Sequence, residues 1–148
     1  MSDLAVSADP VALANQLRPA LLRLNRELRR EGASLGISGG QATLLHLISR
    51  SPGAGVRELA AREGMSAAGM SGHVDRLEAA GLLRRVRSTD DRRRVGLEVT
   101  DEGHRILRAV RRRRTAWLAQ RLGRLSPAEL EALDAALEPL ARLLEVDA

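Results

Sequence analysis

The sequence predicts a mainly α chain with a minor β component: six helices and one two-stranded antiparallel ribbon. Three observations predict it. Leucines recur at helical spacing from Leu13 to Leu28, and strong helix-start signals punctuate the chain as far as Ser126. Between Gly81 and Thr100, two short alternating apolar runs flank a polar turn. Trp117 is the one aromatic residue, so any core must be built from Leu, Ala, Val and Ile, which suits helix packing. At 148 residues, one domain spanning 1–148 is the simplest organisation.

The elements follow in order. Asp9 then Pro10 is a capping acceptor followed by proline at a position where its missing N–H costs nothing. Leu13, Leu17, Leu21, Leu24 and Leu28 continue as a narrow apolar stripe. Pro19 interrupts this stripe, which predicts a kink or a helix that truly begins there. Ser38 with Gln41 forms a capping box for a helix to about Arg50. A turn over 51–55 leads to a short helix from Val56 to Glu63, ended by Gly64. Ser66 caps the next helix, to about Ala80. Leu82 to Arg87 and Val95 to Val99 read as the ribbon strands. Thr100 opens a long helix with Asp101 and Glu102 at its positive end. Ser126-Pro127-Ala128-Glu129 caps a last helix to about Glu145.

Charge is segregated. All 24 basic residues are Arg, and the net charge is +5. Leu82 to Thr100 holds six Arg against three acids, and Asp101 to Arg124 holds eight against two. From Leu125 onward a single Arg faces six acids. Such a distribution favours one surface for a polyanion and a separate acidic region. The absence of cysteine excludes disulfides, thiol catalysis and thiol redox sensing. No run approaches a membrane span and no signal sequence opens the chain, so the expectation is a cytoplasmic protein without membrane association. His46, His73 and His104 are too dispersed for a metal site, and no catalytic constellation is present. The expectation is therefore a non-enzyme with no cofactor and no metal. His46 is expected to pack in the core and Trp117 to anchor a core or interface. Arg111 to Arg114 circle a full helical turn, which reads as a solvated face.

The two short helices around Gly64-Met65-Ser66 form a helix-turn-helix, which places its second helix in the major groove. Met70, Val74 and Leu77 make the buried face of that second helix. Ser66, Ala67, Ala68, Ser71, Gly72, His73 and Arg76 are the candidate DNA-facing residues. The ribbon beyond makes the motif winged. Its tip, Ser88 to Arg94, carries Arg92, Arg93 and Arg94, whose guanidinium forks suit phosphates and base edges. Arg84, Arg85 and Arg87 join them as candidate phosphate contacts.

Glu58-Leu59-Ala60, His73-Val74-Asp75-Arg76-Leu77-Glu78, Gly81-Leu82, Asp91-Arg92-Arg93, Val99-Thr100 and Glu102-Gly103 together resemble the MarR family (multiple antibiotic resistance regulators). The resemblance covers about Asp9 to Val146. It implies a homodimer held by the terminal helices (9–31 and 101–146), with a winged helix-turn-helix over 38–100 binding double-stranded DNA at a pseudo-palindromic operator. It also implies that Arg93 enters the minor groove and that Asp91 orients the wing. A small-molecule effector between the dimer region and the winged region is common among such proteins, and most are repressors. This chain departs from the pattern in its recognition helix. Gly69 and Gly72, with Ala67 and Ala68, leave a thin reading surface, which predicts a large share of indirect readout. That thinness keeps open a second function, an architectural DNA-binding protein with little sequence choice. A third, a small enzyme or carrier with a vestigial helix-turn-helix, differs in predicting activity that survives loss of Arg93.

Overall fold

Asp9 starts the first helix. Its carboxylate accepts the N–H groups of Val11 and Ala12 at 3.3 and 3.2 Å, and α1 runs Pro10–Arg30. The computed structural model describes residues 8–87 and 94–145. Contrary to the expected kink or late start, α1 is helical straight through Pro19. The helix is nucleated at the Asp9 cap, and Pro19 deletes one intrahelical bond along a helix that buries none of its residues. A carbonyl freed on so exposed a helix can turn to water. A 3-10 turn over Ala33–Leu35, absent from the sequence expectation, follows α1, and Gly36 closes it with φ +79°.

The following elements form as their caps dictate. Ser38 Oγ accepts from Gln41 N (3.1 Å) while Gln41 Oε1 accepts from Ser38 N (2.9 Å), opening α2, Gly39–Arg50. Then come α3, Val56–Arg62, and α4, Ala67–Ala79, the latter capped by Ser66 Oγ accepting from Gly69 N at 3.0 Å. β1 (Leu83–Arg87) pairs antiparallel with β2 (Val95–Val99), Leu83 opposite Val99 and Arg87 opposite Val95. Thr100 Oγ1 accepts from Gly103 N (3.1 Å) and donates to Gly81 O (2.6 Å), joining the start of α5, Asp101–Leu122, to the exit of α4. The Ser126–Glu129 box opens α6, Pro127–Arg142, which ends short of the expected Glu145.

The chain divides into two compact units, residues 1–114 and 115–148. The first contains the hydrophobic core, in which Leu45, Ile48, Leu59 and Val74 are wholly buried, with Met70, Leu77 and Leu97 nearly so. It buries no polar or charged residue among those described. His46 is a correction: it is exposed, because Leu44, Leu45 and Ile48 supply the buried face of α2 and His46 points away from them. Two glycines are demanded by close packing. A Cβ at Gly103 would lie 2.3 Å from Leu82 O, and one at Gly96 would lie 2.5 Å from Gly53 O. The second contact belongs to a backbone tether, Gly53 N to Leu97 O and Leu97 N to Ala54 O, each 3.0 Å, which fastens the turn after α2 to β2. In the second unit, the Arg121 guanidinium stacks over the half-buried Trp117 ring, 3.7 Å from its centroid.

Candidate nucleic-acid interface

α4 is held by the face that carries Met70, Val74 and Leu77, all buried, as the sequence pattern requires. Its opposite side is open. Ala67, Ala68, Asp75 and Arg76 are exposed, and Ser71, Gly72 and His73 are half-buried. At 100° per residue, Ala68, Gly72 and Arg76 fall along one outward ridge, with Ser71 on its flank. Ser66 stands at the helix start, its hydroxyl oxygen committed to the capping bond. His73 turns toward a different neighbourhood, a cleft of about 310 Å³ also lined by Arg29, Leu44, Leu47, Met65 and Met70.

The ribbon's cations divide by what they touch. Arg84 lies opposite Glu98 and grips its carboxylate with Nε (3.2 Å) and Nη2 (2.8 Å). Arg85 stands on the other ribbon face, beside Leu83 and Leu97, and reaches α4, with Nη2 2.5 Å from Asp75 Oδ1 and Nε 3.5 Å from Glu78 Oε2. Beside the phosphate role expected of it, Arg85 ties the ribbon to α4. Sequence alone could not show this, since the ten-residue separation of Asp75 and Arg85 closes only when the ribbon folds back on α4. Arg87, the last residue of β1, and Arg94, the residue before β2, are both exposed. Asp91, Arg92 and Arg93 lie outside the described residues.

α3 adds a further cation to this surface. Arg57, exposed on the first turn of α3, lines a cleft of about 550 Å³ with Glu58, Arg85, Arg94, Val95 and Leu97. The backbone tether between Gly53-Ala54 and Leu97 brings this turn to the ribbon, so the only sequence signal was an arginine just after the Gly55 cap. Arg57, Arg76, Arg87 and Arg94 thus add exposed positive charge to α3, α4 and the ribbon, a setting suited to a phosphate backbone.

The run Arg111–Arg114 does not act as one patch. Arg113 Nη1 donates to Ser34 Oγ, and Arg114 Nε donates to Leu28 O at 3.2 Å. Burial first, and then the neighbouring Arg29 charge, holds the Arg114 pKa below its ordinary value. Among the described residues, no group of His, Asp or Glu has the arrangement to hold a metal ion, and no helix is long and apolar enough to cross a membrane.

Comparison with known proteins agrees with this geometry. A sequence model described as the MarR family matches residues 35–94, the span from the 3-10 turn to the ribbon tip. An HTH-type transcriptional regulator of Mycobacterium tuberculosis is 30% identical over 133 residues, covering 90% of this chain and 93% of the relative. An uncharacterized HTH-type transcriptional regulator of Bacillus subtilis is 32% identical over 115 residues, covering 78% of this chain and 72% of the relative. The crystal structure of a transcriptional regulator from Thermotoga maritima superposes with a TM-score of 0.76 at 25% identity, covering 90% of this chain and 94% of that one.

Proposed function

The chain belongs to the MarR family of DNA-binding transcriptional regulators, and from that premise we propose that it acts as a homodimeric repressor of a pseudo-palindromic operator in the cytoplasm, released by a small ligand. The division of its surface carries this reading. Arginines are exposed around α4 and the ribbon, while α1 and α6 expose leucines and bury no residue. Exposed leucines in two helices suit burial against a second copy. In the dimer, 9–31 and 101–146 form the helical interface, and the two winged regions (38–100) address two half-sites.

Ser66, Ala67, Ala68, Ser71, Gly72 and Arg76 face the major groove, with His73 at the edge of that surface. Arg84, Arg87, Arg92 and Arg94 supply affinity at phosphates, Arg84 while bound to Glu98. Arg93 enters the minor groove, where width and negative potential rather than base identity attract it, and Asp91 orients the wing. The cleft beside His73 and Met70 is the place for an effector, because a ligand there touches the recognition helix from behind.

The test is binding to the DNA upstream of the protein's own gene against random duplex, at two salt concentrations. A regulator prefers one palindromic stretch by roughly 10³ or more, with a steep salt slope, and Arg93→Ala sharply weakens that binding. The small side chains of α4 favour one alternative, an architectural protein; equal affinity for both duplexes would establish it in place of the regulator.

A further inference from the structure

The outward ridge of α4 is bare over its first two turns. Ala68 and Gly72 form its centre, Ala67 and Ser71 one flank and Gly69 the other. A Cβ placed on Gly72 would meet nothing within 4 Å. No packing inside the protein therefore requires glycine there, although glycine weakens a helix interior. The longer polar side chains nearby are committed or distant: Asp75 is held by Arg85, Ser66 Oγ caps the helix, and Arg76 stands a turn further on.

The side chains that read guanine or adenine through paired hydrogen bonds are Arg, Lys, Asn and Gln, and none occupies these two turns. What they offer a base edge is methyl groups and close backbone approach. The apolar feature of the major groove is the 5-methyl group of thymine. The flanking cations Arg57, Arg87 and Arg94 can meanwhile hold the phosphates on either side.

We propose that α4 selects its half-sites through thymine methyl groups. Ala68, aided by Ala67, packs against them, and Gly72 lets the helix settle deep in the groove. Specificity then rests on methyl burial, with Ser71 and Arg76 adding polar contacts at the margin. The inference deepens the operator-binding reading and depends on it.

The test uses duplex selected from a random pool by the full-length protein itself, then resynthesised with deoxyuridine replacing thymidine one position at a time. This exchange removes only the methyl group. At contacted positions it weakens binding about fourfold, and about fifteenfold when made in both half-sites, as expected for one buried carbon each. Ala68→Gly binds the thymidine and deoxyuridine duplexes alike while keeping the wild-type salt slope. Gly72→Ala, which has room for its methyl group, raises thermal stability yet weakens binding to the selected duplex. Equal affinity of the wild-type protein for both duplexes overturns methyl readout and leaves the regulator standing. If no sequence is enriched from the pool, the operator reading itself falls, and methyl readout with it.

Discussion

The winged region and the terminal helices are built on opposite terms. In the winged region α2, α3, α4 and the ribbon close around Leu45, Ile48, Leu59, Val74 and Leu97, each at most 1% exposed. α1 and α6 bury nothing, and Leu13, Leu22, Leu133 and Leu137 remain exposed. Both carry amphipathic leucine patterns in the sequence, so the pattern marks which face will be buried, not what will bury it. The winged region satisfies its pattern within one chain, whereas α1 and α6 leave theirs exposed, the surface that the proposed dimer would cover.

The sharpest way to break this comparison is to truncate a leucine on each side of it. Leu45→Ala removes a wholly buried side chain and is expected to cost about 2–5 kcal/mol, seen as an earlier thermal or denaturant transition. Leu137 is 62% exposed, so Leu137→Ala, measured at a concentration low enough to give monomer, shifts stability by only about 0.5 kcal/mol or less. Comparable losses at the two positions would mean that α6 packs within its own chain.

The next effect tests the proposed dimer directly. Glutamates at both Leu133 and Leu137 place charge on the exposed apolar face of α6. Light scattering should then report a monomer at micromolar concentration, with the circular dichroism of the folded chain retained. Affinity for a two-half-site operator should fall about a hundredfold, because the second winged region no longer binds as part of one molecule. A dimer that survives the double substitution would assign the interface to other residues.

The same contrast explains what was legible in the sequence. Caps were legible because a capping bond is local: Asp9, Ser38, Ser66 and Ser126 each start a helix where their neighbours require it. The buried stripe of α4 and the two ribbon strands were legible from their own local patterns, with β1 starting at Leu83, one residue later than expected. Long-range closure was not. The Gly53-Ala54 tether to Leu97, the grip of Arg85 on Asp75 and Glu78, and the approach of Gly103 to Leu82 join segments whose sequences carry no mark of one another. The apolar neighbours of His46 in sequence point to burial, whereas the turn of α2 carries its side chain to solvent. Within the site, the exposure of Ala67, Ala68 and Arg76 follows from the helical pattern of α4, but His73 lines a separate cleft, Arg84 and Arg85 belong to ion pairs, and nothing in the sequence marks the place of Arg57 beside the ribbon.

A smaller effect separates arginines that hold the protein together from those that hold DNA. The Arg85 pairs are partly exposed, so Arg85→Ala should cost less than about 1 kcal/mol of stability. It should nevertheless lower operator affinity, because the ribbon is no longer fixed to α4, and it should leave the salt dependence of binding unchanged. Arg87→Ala should do the reverse, leaving stability intact while reducing the salt slope by about one. A reduced salt slope for Arg85→Ala would return that residue to the phosphate-contacting group.

The smallest effect lies at the start of α5. The hydrogen bond from Arg105 and its charge hold the Glu102 carboxyl below its ordinary pKa of 4.5. The folded state therefore binds this proton less readily than the unfolded chain. Any stabilisation from the pair is complete above the unfolded pKa and fades as pH falls through the lowered folded value. Arg105 is raised in turn by the same partner, but it stays charged throughout that acid range. Both side chains are largely exposed, so solvent screens the pair and the difference should be slight. Melting temperatures of Glu102→Gln and the parent chain should differ a little at neutral pH and converge in acid. The first turn of α5 sits where Thr100 joins it to Gly81, beside the exit of α4. Convergence without any change in oligomeric state would place this acid-sensitive contribution within the single chain, where the start of α5 meets the exit of α4, rather than at a contact between copies.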